Sequence, residues 1–290
     1  MRSSTVEAIQ VDAGPVGLAI GEAGAVWAVS ARGDAVSRIP AGAAEPDLVV
    51  EVPGTPLRAT WAYDALWVTS FGAEQLVRLD PATGTISDRV HTGAGPEGVT
   101  AAFGSVWVVA QDAGRLLRVD PRTAIVTDRI EIGVGARLVT AGPRWLYVSH
   151  HADGRVLRID PATGHVWRSQ EVWRGPQGMA LEHGRLWVAC TAGNRVVVLD
   201  AETLDVVDRL HGPEAPDPVT LAPDGTVLAV SQAGPTVVTI DPATREPIGR
   251  LALGEADQLY DQANLDAVVS GGQVWVTSFN DNAVLRAPLP

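Results

Sequence analysis

One motif recurs along this chain at nearly constant spacing, and that recurrence decides most of what the chain can become. ALWVTSFGAEQLVRLDPATGTISDRV (Ala65–Val90), SVWVVAQDAGRLLRVDPRTAIVTDRI (Ser105–Ile130) and WLYVSHHADGRVLRIDPATGHVWRSQ (Trp145–Gln170) align without a gap. RLWVACTAGNRVVVLDAETLDVVDRL (Arg185–Leu210) and TVLAVSQAGPTVVTIDPATREPIGRL (Thr226–Leu251) follow the same template. A degenerate first copy, AVWAVSARGDAVSRIP, and a truncated last one, QVWVTSFNDNAVLRAP, complete the set. Anchored on the aromatic slot, the copies fall at Trp27, Trp67, Trp107, Tyr147, Trp187, Leu228 and Trp275, with spacings of 40, 40, 40, 40, 41 and 47. A period of this length means one supersecondary unit per copy, each burying its apolar face against its neighbours.

Within a copy the pattern is β. Segments such as LVRLD, VWVVA and TISDRV are short, rich in branched residues and bounded by Gly, Pro and Asp turns. Four strands fit each copy, and the DPATG box (Asp80–Gly84, Asp160–Gly164) supplies the hairpin loop between the third and fourth. Four strands every forty-odd residues predict an all-β, seven-bladed β-propeller with four antiparallel strands per blade. The last copy ends without a fourth strand, while the chain begins with VEAIQVDAG, which reads as one. The N-terminal strand is therefore expected to close the last blade and remove two open sheet edges. Residues 1–290 then form a single domain.

The pattern LWV-T-S…V-RLDP-TG…PEG resembles the YVTN and virginiamycin-B-lyase-like group of bacterial propellers, over essentially the whole chain. The resemblance implies the propeller architecture. The lyases of that group use a metal and a histidine base, but their repeated GPDGxxWFTE pattern is approached here only by APDGTVLAVS (Ala222–Ser231), so their catalytic residues are not carried over.

Composition excludes several chemistries. All 22 cations are arginine, so no lysine Schiff base and no Walker lysine is available. The formal net charge of -12 argues against a nucleic-acid partner. Cys190 is the sole cysteine, which excludes an intrachain disulfide, and it is read as a small buried apolar residue. No apolar run approaches a transmembrane span or a signal-peptide core, so no membrane partner and a cytoplasmic location are expected, with a monomer as the working state. GAGPEG (Gly93–Gly98) matches a dinucleotide fingerprint, but a strand follows it rather than a helix, and it is rejected.

In an antiparallel blade the 4→1 loops and the 2→3 turns share one face. The residues entering the innermost strands there are Val16, Leu57, Glu97, Arg137, Gln177, Asp217 and Leu265. The residues four after the aromatic slot are Ala31, Phe71, Gln111, His151, Thr191, Gln232 and Phe279. The copies agree at the aromatic slot and disagree at this rim, as a specific asymmetric site requires and as drift at exposed positions would also produce. GEADQLYDQANLD (Gly254–Asp266) adds about seven residues to the last 4→1 loop and is expected to overhang the channel mouth as a lid.

Candidate catalytic groups are His150 or His151 as a general base near neutrality, with Glu97 and Tyr260. The histidines are adjacent at a strand end, so at most one faces the channel; an exposed surface pair is the bland alternative. His91, His165, His183 and His211 are read as structural, away from the rim. Candidate substrate-binding groups are Arg137, as a bidentate carboxylate or enolate clamp, Gln111, Gln177, Asp217, Asp257, Asp261 and Trp173, with Phe71 and Phe279 as an apolar wall. No cofactor and no tightly held metal are expected, although Glu97, Asp217, Asp257, Asp261 and Asp266 are the acids that Mg²⁺ or Ca²⁺ would use. The expected function is lyase, isomerase or cyclase chemistry on a small, natural-product-like molecule. The alternative is a non-catalytic propeller that binds a protein or peptide on the same face.

Overall fold

The computed structural model describes residues 6–254 and 265–290. They form seven four-stranded antiparallel sheets arranged as the blades of a propeller, with no α-helix among the described residues. Six blades use consecutive strands. The seventh pairs Glu7–Gln10 with Ala283–Pro288, so the N-terminal segment is its outer strand, in register from Glu7↔Arg286 to Gln10↔Ala283. The Arg286 guanidinium seals this joint on the Glu7 carboxylate, Nε donating at 3.0 Å. Strand exchange between the chain ends thus leaves the ring with no unpaired inner or middle edge.

The core consists of seven apolar clusters, each spanning two neighbouring blades. The aromatic slot feeds these interfaces: Trp27, Trp67, Trp107, Trp187 and Trp275 are all buried. Opposite it on the third strand sits an arginine in most copies (Trp27↔Arg38, Trp67↔Arg78, Trp107↔Arg118, Trp275↔Arg286). These guanidinium groups lie over the indoles at 4.9–5.8 Å, so long cationic side chains cover the tryptophans where they approach the surface. The outer strands continue the ladder, with Arg78 Nη1 3.4 Å from Asp88.

The DPATG box folds for a local reason. In Asp80, Asp120, Asp160, Asp200 and Asp241 the carboxylate accepts the backbone N–H groups two and three residues on, closing an Asx turn. The fifth position is left-handed, with φ +73 at Gly84 and +72 at Gly164, which suits glycine. These turns lie on the face opposite the rim.

Candidate functional site

The rim face is built as the alternation requires. In blades one to six the 2→3 turn donates a backbone N–H to the preceding 4→1 loop: Ala31 to Gly14, Phe71 to Thr55, Gln111 to Gly95, Ala152 to Gly135, Thr191 to Gly175 and Gln232 to Ala215. Loop and turn are therefore one rigid unit beside the channel mouth, and the two rim series sit next to each other.

Blades three, four and five contribute a continuous line of polar groups. Glu97 is buried, with Oε2 4.0 Å from Nε of Arg137, which is about one-third exposed. Arg137 Nη1 reaches the Gln177 Oε1 at 3.5 Å. Gln177, also buried, in turn contacts His151. Burial first, and then the nearby Arg137 charge, lower the His151 pKa; the Pro176 carbonyl and the Gln177 side chain pull the other way. The imidazole is therefore the neutral, proton-accepting form at neutral pH. Gly175 makes room for it: at φ +64, a Cβ there would lie 2.9 Å from His151 Cε1.

His150 has a different position. Its slot is filled by Ser70 and Ser231 elsewhere, whose hydroxyls cap the carbonyls of Pro53, Gly54 and Glu214 in the 4→1 loops. His150 occupies that capping site, buried, with Nε2 against Gly133 and Nδ1 3.4 Å from Asp153. Alternation along the strand thus sends one histidine into the loop and leaves the other on the rim. His91 and His211 end outer strands on the rim side of the ring, at its periphery rather than away from it, and His183 pairs with Glu182. Burial pushes the Cys190 thiol up to about 12, which removes it as a nucleophile.

The remaining candidates are spread around the ring. Gln111 sits beside Gly95 and Asp217 accepts from Gln232, both on the rim. Phe279 lies under Arg32, 4.3 Å from the guanidinium, and no ring contact joins it to Phe71 among the described residues. Trp173 is partly exposed, donates to the Gly193 carbonyl, and walls a side cavity of about 400 Å³ with Arg174 and Asn194. Tyr260, Asp257 and Asp261 lie outside the described residues.

A larger cleft, about 890 Å³, opens on the opposite face between blades four and five. Its polar groups are paired with one another: Trp145 Nε1 donates to Glu202, Tyr147 to the Ala201 carbonyl, and Arg185 to Asp200. It offers volume without a convergent reactive group. Among the described residues no three His, Cys, Asp or Glu side chains are grouped to hold a metal; Asp257 and Asp261, two of the acids that a cation would use, lie outside them.

Sequence reasoning missed Arg58. It stands on the channel wall, 3.2 Å from Asp266, in the slot held by Gly17, Gly98 and Gly178 in other blades. The signal was present in the alignment: the one cation in a column that is glycine in three copies and leucine, proline and aspartate in the others.

The polar line on a closed ring defines the class as a seven-bladed propeller with an asymmetric rim. No family model matches the chain, and no curated protein matches it by sequence. Solved structures do match. One is virginiamycin B lyase from Staphylococcus aureus, at 15% identity and a TM-score of 0.83, covering 99% of this chain and 100% of that one. Another, a streptogramin B lyase, gives 16% identity and a TM-score of 0.84 over 99% of this chain and 98% of that one. A catalytically inactive histidine-to-alanine variant of the S. aureus lyase, with quinupristin, gives 15% identity and a TM-score of 0.82 over 99% and 100%. At such identities the likeness establishes the shared fold alone.

Proposed function

We propose that this chain is an enzyme that works as one domain on a small organic molecule at the rim, by proton abstraction of the lyase, isomerase or cyclase type. The observation that carries the reading is the His151 imidazole, held through Gln177 beside a partly exposed guanidinium, Arg137. In this reading His151 accepts a proton from carbon next to a carbonyl or carboxylate, and Arg137 holds the oxygen on which charge develops. Glu97 fixes the guanidinium from below, and Gln177 sets both groups. The virginiamycin B and streptogramin B lyase neighbours lend support at the level of architecture, because their shared fold carries lyase chemistry there.

The test is turnover of a panel of compounds with an acidic C–H next to a carbonyl, quinupristin among them, read by mass spectrometry and by hydrogen exchange in deuterated water. His151→Ala should lower turnover by roughly 10²–10⁴ at an unchanged melting temperature. Full turnover by the folded variant would refute the assignment. The exposed Trp173 beside Arg174 favours a second reading, peptide binding on the same face; capture of peptides by a protein inert toward every compound would select it.

A further inference from the structure

The seven innermost strands crowd the propeller axis. A Cβ on Gly17 would lie 2.3 Å from the Leu57 carbonyl, one on Gly178 2.3 Å from that of Asp217, and one on Gly98 2.6 Å from that of Arg137. Blade two nevertheless carries Arg58 at this level, and blade seven Asp266. Arg58 is 6% exposed. Its Nη1 is fully used: it stands 3.2 Å from Asp266 and donates to the carbonyls of Leu265, at 3.2 Å, and Val16. Its Nε and Nη2 are buried and meet no acceptor among the described residues. Asp217, 0% exposed, uses only Oδ2, which accepts from Gln232 Nε2 and the Leu265 N–H at 2.7 Å each. Its Oδ1 is buried without a donor. Arg58 and Asp217 line the same axial cavity of about 190 Å³, with Ala59, Val99, Leu138 and Val219 as apolar walls.

A buried polar atom left unsatisfied is costly, the more so when it belongs to a charged group. Here two donors and one acceptor lie buried and unpaired, among the described residues, on two residues that line one small cavity. We propose that this cavity binds the primary carboxamide group of a small molecule, its carbonyl oxygen accepting from Arg58 and its N–H donating to Asp217. Charge selects this class. A carboxylate would satisfy Arg58 but present no proton to Asp217 Oδ1, and an ammonium would satisfy Asp217 but face the guanidinium. A neutral amide offers both partners and brings no net charge into a site already holding the Arg58–Asp266 pair. Size selects further: about 190 Å³ is below the roughly 300 Å³ at which drug-sized pockets begin, so the amide and a short carbon chain fit it. The site stands on channel residues alone and is independent of the reading of His151.

The experiment is titration of the ¹⁵N-labelled full-length protein with acetamide at neutral pH, with acetate and methylammonium as charged controls. Acetamide should give saturable shifts at the backbone amides of Ala59, Val99 and Gly178, within the weak range expected of so small a ligand, up to about 0.1 M. Either ion should bind at least tenfold more weakly. Asp217→Asn keeps an oxygen for Gln232 and Leu265 and places an NH₂ where Oδ1 stood, so this variant should reverse the preference and favour acetate by tenfold or more. Absence of saturable shifts at these amides in the wild type, or equal response to acetamide and acetate, would overturn the proposal. So would an unchanged preference in Asp217→Asn that melts as a folded protein; should the variant not fold, the wild-type comparison decides alone.

Discussion

Asp217 is the residue at which physics and repeat part most sharply. Burial first pushes its carboxyl up to about 6, against the opposing pull of Arg58, Gln232 and the Leu265 N–H, and with the Asp266 charge adding to the rise. The folded protein therefore holds this proton more tightly than the unfolded chain, whose aspartate titrates near about 3.9. The sign follows: stability associated with Asp217 is full at low pH, falls as pH rises from about 4 to about 6, and is constant above. Removing the titration by Asp217→Asn should make the variant gain on wild type by up to about 3 kcal/mol across that window, in thermal melts at matched pH. His151 has the opposite sign, since its lowered pKa adds stability as pH rises towards about 6.5, which is why the difference between the two proteins is the quantity to measure. Asp217 and Arg137 were legible in the sequence as departures within an aligned column. Gln177 was legible too, as the neighbour of Arg137 in the rim series. The partners of Asp217 were not, because Gln232 reaches it from the 2→3 turn of its own blade and Arg58 from another blade, at separations set by the ring.

At the scale of the element, the strands were readable because each carries its own local signals: alternating branched residues, the Asx turn and the left-handed glycine. The Trp slot also follows from sequence, and its burial makes a clear expectation. Trp107→Ala should cost roughly 3–5 kcal/mol in denaturant unfolding, as for a buried aromatic; a loss under about 1 kcal/mol would contradict its place between blades three and four. The closing strand is equally testable. Deleting residues 1–12 removes Glu7–Gln10 and the Glu7–Arg286 pair, and exposes Ala283–Pro288 as an edge. The truncated protein should melt several degrees lower or associate in sedimentation; an unchanged melting temperature with a monomer would show that the joint contributes little. The two histidines mark the limit of this kind of reading. Period-two alternation separates His150 from His151 but does not say which of them meets the loop, and only the serine column, read as a capping column, would have assigned it.

At the scale of the whole molecule, the ring makes a site out of single substitutions. Each blade repeats the same scaffold, so one residue change at the rim of blades three, four and five adds one group to a shared line. Glu97, Arg137, Gln177 and His151 come from positions that are equivalent or adjacent in the repeat, yet no two of them are near in sequence apart from their blade spacing. The central claim is that this line keeps His151 neutral and adjacent to the Arg137 charge. It is tested most directly by NMR titration of the His151 imidazole in the wild type and in Arg137→Gln. The His151 pKa should lie below about 6.5 in the wild type and rise when the guanidinium is removed. A wild-type value at or above about 6.5, or one indifferent to Arg137→Gln in a folded protein, would contradict the account.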